Sequence, residues 1–173
     1  MTTPATPSSK ATSSKPEAET IHVLAGQRPD GELVFEQVLA SSIGDECYTL
    51  ETSLLFAKGA AKGDVIRLMP GGRFEVEQRS GNLCLRIVAK ENIEVIQARL
   101  QANLLKLDAV CDFSNDRSLV YSVHVSKGFD AIEKSMNEAF VGQEDNAMWL
   151  YANVYDAMDG QTPLNWWHDF LAQ

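Results

Sequence analysis

The spacing of apolar and polar residues changes along the chain and predicts strands first and helices later. Between residue 20 and about residue 89, short runs alternate apolar and polar side chains, as at residues 74–77, and a period of two is typical of strands. Turn sequences that contain glycine separate these runs, and residues 28–31 (Arg-Pro-Asp-Gly) are typical of a hairpin turn. About five or six short strands with tight turns predict a small β-barrel or a strongly curved sheet.

From residue 83 onward the pattern becomes mixed. A strand at residues 83–87 is followed by apolar residues at three- and four-residue steps, which predict a helix over residues 92–105. Two further strands, a second helix that starts at Phe129 and ends near Gly142, and a last apolar run at residues 148–154 complete the order β-α-β-β-α-β. This order is that of a ferredoxin-like domain, in which two helices cover one face of an antiparallel sheet.

The predicted fold class is therefore α+β, with four parts. A disordered tail is expected at residues 1–19, which contain no aromatic and no branched aliphatic residue. A β-barrel-like lobe is expected at residues 20–82 and a ferredoxin-like lobe at residues 83–156. Residues 157–173 are expected to add a short C-terminal helix, because Thr162 and Pro163 form a typical helix start.

Charge and aromatic rings are concentrated in the last third of the chain. Of the formal net charge of −9, residues 108–173 contribute −8, from eleven acids and three bases. Because charge steers encounter and buried rings stabilise complexes, this region is expected to bind a basic protein partner. The residues expected to bind it are Asp145, Trp149, Tyr151, Tyr155, Asp156, Asp159, Trp166 and Trp167. For Trp149 and Tyr151, packing in the core is an equal alternative.

Composition disfavours several other classes of function. Clustered Lys and Arg are absent, which argues against nucleic-acid binding, and no apolar run reaches the length that crosses a bilayer. The three cysteines are isolated, so neither a disulfide framework nor a zinc site is expected, and a cytoplasmic location follows. No catalytic constellation, metal site or cofactor motif stands out, so we expect a protein that is not an enzyme.

Two neighbouring segments resemble a known family. Residues 54–65 read Leu-Leu-Phe-Ala-Lys-Gly-Ala-Ala-Lys-Gly-Asp-Val, and residues 79–87 read Arg-Ser-Gly-Asn-Leu-Cys-Leu-Arg-Ile. The pair resembles a bacterial family described as domain of unknown function 4265, over about residues 32–155. The chain departs from the family at Leu55, where a second Phe is common. The resemblance implies a bacterial, cytoplasmic protein and no established reaction.

The same segments also have a structural interpretation. Phe56 is expected to anchor the segment against the barrel, and Gly59 and Gly63 are expected to allow its tight backbone. Asp64 is expected to accept backbone N–H groups at the turn. Arg86 alternates with apolar neighbours, so it is expected to join the lobes by pairing with an acid of the C-terminal part, and capture of a ligand is the alternative role.

The leading hypothesis is a non-enzymatic acidic module, such as an immunity or inhibitor protein that covers a basic partner. The alternative is a small-molecule-binding sensor or regulatory subunit, which forms a homodimer through an exposed sheet face. A continuous acidic surface would favour the first, and a concave site with converging polar groups would favour the second.

Overall fold

The computed structural model describes residues 15–172 and has an α+β fold with two antiparallel sheets. The first sheet contains β1 (Ala18–Gln27), β2 (Leu33–Gly44), β3 (Cys47–Leu50), β4 (Val65–Leu68) and β5 (Phe74–Gln78). The predicted tail lies largely outside the described residues, but β1 already begins at Ala18, two residues before the predicted start of structure. Among residues 15–172, no helix has both the length and the apolar character needed to cross a membrane.

The first sheet is open rather than barrel-like. Its five strands pair in chain order, so that β1 and β5 lie at opposite edges, and no ladder between residues 15 and 172 joins these two strands. The prediction of a barrel was wrong, because the two edge strands, β1 and β5, do not pair with each other within the described residues. Residues 51–64, here called the inter-sheet segment, place Leu54, Ala57 and Ala60 in the core of this sheet.

The second sheet follows the predicted β-α-β-β-α-β order of elements. It comprises β6 (Asn82–Ala89), α1 (Ile93–Leu105), β7 (Val110–Ser114), β8 (Ser118–His124), α2 (Phe129–Phe140) and β9 (Ala147–Tyr151). Its strands lie in the order β7-β8-β6-β9, and all neighbours are antiparallel. The prediction of both helices is confirmed, and α1 begins within one residue of its predicted start.

The helices cover only one face of this second sheet. Side chains such as Ile96 and Met136 pack on Leu85 and its neighbours to form the larger core. On the opposite face, Cys84 and Val120 contact the inter-sheet segment through Ala61. The face that the dimer hypothesis left open is therefore partly covered by the chain's own first half.

The predicted short C-terminal helix is present, but it begins later than predicted. Pro163 forms an isolated bridge with Tyr155 instead of starting a helix, and the Thr162 hydroxyl donates to Asp159 at 2.5 Å. The last helix, α3 (His168–Leu171), begins only after this turn. Pro163 pairs with Tyr155 in an extended bridge and therefore does not start a helix, although Thr followed by Pro is a common helix start.

Candidate functional site

The inter-sheet segment is bound on one side by a buried carboxylate. Glu36 lies on the inward face of β2, in phase with Val38 and Ala40. Its carboxylate accepts the backbone N–H groups of Leu55, of Phe56 at 2.9 Å and of Ala57 at 2.8 Å. Hydrogen bonds to an ionised acceptor are among the stronger ones in proteins. The carboxylate thus fixes three consecutive residues that have no strand partner.

On the other side the same segment is bound by Arg86 of β6. Its Nη1 donates to the carbonyl of Phe56 at 3.0 Å, and its Nη2 donates to those of Leu54 at 3.1 Å and Ala57 at 2.6 Å. Burial lowers the pKa of Arg86, and the nearby Glu36 opposes that effect. Arg86 therefore joins the two sheets, but through backbone carbonyls. The prediction of an acidic partner from the C-terminal part was wrong.

Phe56 was predicted to anchor the inter-sheet segment, but its side chain is exposed. Its backbone is fixed from both sides, yet its ring is 60% exposed. The side chains that anchor the segment are Leu54 and Ala57, which are buried in the first core. The backbone bonds hold residues 54–57 in a single conformation, and that conformation points the ring outward. The prediction that Phe56 anchors the segment was therefore wrong.

Asp64 ends the inter-sheet segment as a fully buried carboxylate. It accepts the N–H of Ala61 at 3.0 Å and of Ser80 at 2.8 Å, and Arg79 Nη1 lies 3.3 Å away. Burial raises the pKa of Asp64, although these bonds act against the shift. Gly63 has a φ of 84°, and a Cβ there would lie 2.9 Å from that of Ser80. The turn role predicted for Asp64 and Gly63 agrees with these contacts. Gly59 also has a positive φ, of 106°.

A second buried polar cluster links the segment to the far sheet. Asp112 accepts hydrogen bonds from the backbone N–H of Ser53, at 3.0 Å, and from the hydroxyl of Ser122. The two serine hydroxyls are 2.8 Å apart, and both residues are buried. Lys62 Nζ lies 3.8 Å from the same carboxylate. Because the hydroxyls are enclosed and hydrogen-bonded, the cluster serves as a connection between the lobes.

A small aromatic pocket opens between α2, β9 and the end of the chain. Its volume is about 230 Å³, and its lining comprises Phe129, Glu133, Tyr151, Val154, Tyr155, Pro163 and Trp167. The Phe129 ring makes edge-to-face contacts with Tyr151 and with Trp167, each with centroids 5.5 Å apart. The lining contains one acidic group, Glu133, and no lysine or arginine.

Glu133 also contacts the tyrosine that lies between the pocket and β9. The Tyr151 hydroxyl donates to Glu133 Oε1 at 3.4 Å. Burial of Tyr151 and the charge of Glu133 both raise the pKa of that hydroxyl. The phenol therefore stays a neutral donor, and the carboxylate keeps the remaining acceptor positions of its two oxygens for another group.

A groove runs from this pocket along the outer edge of β9. It has a volume of about 340 Å³ and is lined by Lys58, Trp149, Leu150, Tyr151, Ala152, Tyr155, Asp156 and Gly160. The groove and the pocket share Tyr151 and Tyr155, and together they form what is here called the β9 site. Of the residues predicted to bind a partner, Trp149, Tyr151, Tyr155, Asp156 and Trp167 meet here.

The other three predicted residues lie elsewhere. Trp166 is only 9% exposed, and its Nε1 donates to the carbonyl of Asn153 at 2.7 Å. Its prediction as a docking residue was wrong, because the indole packs in the larger core beneath Arg79. Asp159 closes the turn before Thr162, and Asp145 lines a separate depression beyond the start of β9.

Sequence reasoning missed two groups of the β9 site, Glu133 and Lys58. Glu133 is not among the residues that the sequence predicted to bind a partner. The sequence does indicate where Glu133 lies, because it follows Phe129 by four residues on a predicted helix, and such pairs lie on the same face. Lys58 had no local signal, since it reaches the groove through the fold of the inter-sheet segment. No group of three metal-binding side chains occurs within the described part of the chain.

Comparison with known proteins agrees with this fold and places the chain in a family. The fold is that of an α+β protein with a central inter-sheet segment. The family model described as "Domain of unknown function (DUF4265)" matches residues 36–149, and the chain belongs to this family. The match spans the residues that bind the inter-sheet segment, from Glu36 to Arg86. No match was found among curated proteins.

One solved structure is similar in fold. It is described as "Novel crystal structure of a hypothetical protein from Neisseria gonorrhoeae", and it aligns with a TM-score of 0.60. The alignment covers 79% of this chain and 94% of that chain at 13% sequence identity. At this identity the similarity concerns the fold.

Proposed function

We propose that this protein is a non-enzymatic binding module that takes a basic segment of a partner protein in the β9 site. A concrete form of this function is an immunity or inhibitor protein that covers a cationic surface of its partner. The module would rest on a ferredoxin-like unit, and the strand order β7-β8-β6-β9 with both helices on one face supports that description.

The observation that carries the proposal is the composition of the aromatic pocket. Rings of Phe129, Tyr151, Tyr155 and Trp167 surround a volume in which Glu133 is the charged group. Aromatic faces attract cations, and the attraction grows when water is excluded. A carboxylate beside such rings adds a direct ionic contact. This combination suits a lysine or arginine side chain better than an anion or a purely apolar group.

The charge around the site supports the same class of partner. Residues 108–173, which supply most of the site, carry eight of the nine net negative charges. A region of one sign raises the encounter rate with a partner of the opposite sign, and added salt reduces this effect. We therefore expect association to slow as ionic strength rises.

A peptide series tests the proposal directly. The probe is an acetylated decapeptide of alternating threonine and lysine, and its matched controls carry glutamine or glutamate in place of lysine. Binding is followed by the tryptophan fluorescence of the protein, to which Trp149 and Trp167 contribute from the lining of the site. We expect the lysine peptide to bind and the glutamate peptide to show no binding. Equal binding of the lysine and glutamine peptides would overturn the proposal.

A small cation separates the two hypotheses of function. Nα-acetyl-lysine N-methylamide, whose side-chain amine is free and charged, offers the lysine side chain without the extended backbone of the decapeptide. Because a short compound leaves the groove empty, we expect it to bind much more weakly than the decapeptide. Equal affinity of the two would instead favour the sensor hypothesis, in which the pocket holds a small molecule.

A further inference from the structure

We infer that the free edge of β9 binds its partner by strand addition, in which an extended segment of the partner becomes a fifth, antiparallel strand of the second sheet. This inference rests on the proposed function and specifies how the basic segment is held.

The register of the sheet identifies the backbone groups that face outward. Ala152 N–H donates to Cys84 O at 2.8 Å, and Lys90 N–H donates to Asn146 O at 2.9 Å. In an antiparallel ladder, hydrogen-bonded and non-hydrogen-bonded pairs alternate. The pairs of Trp149 with Ile87 and of Tyr151 with Leu85 are therefore non-bonded ones.

The N–H and C=O groups of Trp149 and Tyr151 consequently point away from β6. Among residues 15–172, no backbone or side-chain group is recorded as their hydrogen-bond partner. Four main-chain groups, an N–H and a C=O on each of two residues, thus face the groove. A row of such groups is what an added strand pairs with.

The other edges of the two sheets carry features that oppose strand addition, whereas β9 does not. The β7 edge has a register shift between Cys111 and Phe113, with Asp112 turned inward. The β1 edge has a shift between Leu24 and Gly26. The β5 edge carries two glutamates within five residues. By contrast, β9 reads Ala-Met-Trp-Leu-Tyr and pairs with β6 without a shift. Bulges and charges are the usual protection of edge strands.

Charge selects a basic partner strand over a second copy of this chain. Residues that are paired across antiparallel strands place their side chains on the same face. A residue opposite Tyr151 would therefore lie on the face that holds the aromatic pocket and Glu133. A second copy would add another set of the same acidic groups, Glu133 and Asp156 among them, to this acidic site, and like charges that face each other are unfavourable. On the pocket face, whose lining contains no lysine or arginine, a strand with lysine or arginine at alternate positions has no such conflict.

N-methylated forms of the threonine–lysine decapeptide test the geometry. A residue opposite Tyr151 has its side chain on the pocket face and its N–H directed at β9. Both directions repeat every two residues in a strand, so every lysine that faces the pocket also directs its N–H at β9. We expect N-methylation of the two central lysines to weaken binding about ten-fold or more, and N-methylation of the two central threonines to change it less than about two-fold.

Hydrogen exchange of the protein supplies a second readout. Addition of the unmodified decapeptide is expected to slow exchange of the Trp149 and Tyr151 amides. The amide of Leu150 faces β6 and serves as the internal control. Three results would overturn strand addition while the proposed function stands. Both methylated peptides could lose affinity equally, the peptide methylated at threonine could alone lose affinity, or exchange at Trp149 and Tyr151 could stay unchanged. Failure of the unmodified peptide to bind would overturn both.

Discussion

Glu36 and Arg86 bind opposite polar groups of the same four residues, although they belong to different sheets. The carboxylate accepts three N–H groups of residues 55–57, and the guanidinium donates to three carbonyls of residues 54–57. A buried loop needs partners for its backbone, because each unpaired group loses its hydration without compensation. The two charges meet that requirement and at the same time connect the sheets.

Replacement of Glu36 is expected to destabilise the fold. In Glu36→Gln, the side chain has one acceptor oxygen and a donor group that faces backbone N–H groups, so at least one N–H loses its partner. We expect the free energy of unfolding to fall by about 1–3 kcal/mol, measured by urea denaturation. The control is Glu32→Gln, whose exposed pair with Arg28 contributes about 0–1 kcal/mol. Equal effects of both changes would contradict this assignment.

Arg86 and Glu36 are expected to be energetically coupled. Removal of either charge loosens residues 54–57, so that the second removal costs less than it does alone. A double-mutant cycle with Glu36→Gln and Arg86→Met should give a coupling energy of about 0.5–3 kcal/mol. Strict additivity of the two losses would show that they act on independent elements.

Asp64 is expected to make stability depend on pH in an unusual direction for a carboxylate. Because burial raises its folded pKa above the ordinary value of 3.8, the folded state holds the proton more tightly than the unfolded state. Its contribution is fully present below the unfolded pKa and is lost as pH rises through the folded pKa.

The measurement compares the unfolding free energies of the wild type and Asp64→Asn from acidic to neutral pH. We expect the advantage of the wild type to shrink as pH rises, because Asn stays neutral. An advantage that grows with pH would show that burial is outweighed by the charge of Arg79 and by the hydrogen bonds that Asp64 accepts from the Ala61 N–H and from the N–H and hydroxyl of Ser80.

Trp166 is expected to contribute to stability, and its neighbour Trp167 to binding. Trp166→Phe removes the indole N–H and leaves the buried carbonyl of Asn153 without its partner. We expect a loss of about 1–3 kcal/mol in unfolding free energy. Trp167→Phe keeps a ring in a half-exposed position and should lose less. If Trp167→Phe proved the more destabilising change, the division of roles between the two rings would be wrong.

The strengths of the sequence prediction follow from periodicity. Both helices and the order of the second lobe were predictable, because apolar side chains such as Ile96 and Leu100 repeat at helical spacing. The open form of the first sheet, with the inter-sheet segment in its core, was not predictable in this way. The inter-sheet segment has neither a helical nor a strand period.

The candidate site was predictable only in part. Five of the eight residues that were named from acidic and aromatic composition line the β9 site. Burial of Trp166 was not visible, since its hydrogen bond joins residues 13 positions apart. The position of Glu36 in the sequence does indicate its role, because a charged residue in phase with Val38 and Ala40 is typical of a buried ionic group.

The most direct test of the proposed binding function is the dissociation constant of the threonine–lysine decapeptide for three proteins. These are the wild type, Glu133→Gln in the aromatic pocket, and Glu138→Gln, an exposed acid on the same helix outside the pocket. We expect Glu133→Gln to bind about five-fold more weakly and Glu138→Gln to differ from the wild type by less than about two-fold. Equal affinity of all three proteins would contradict the assignment of the pocket as a site for a cationic side chain.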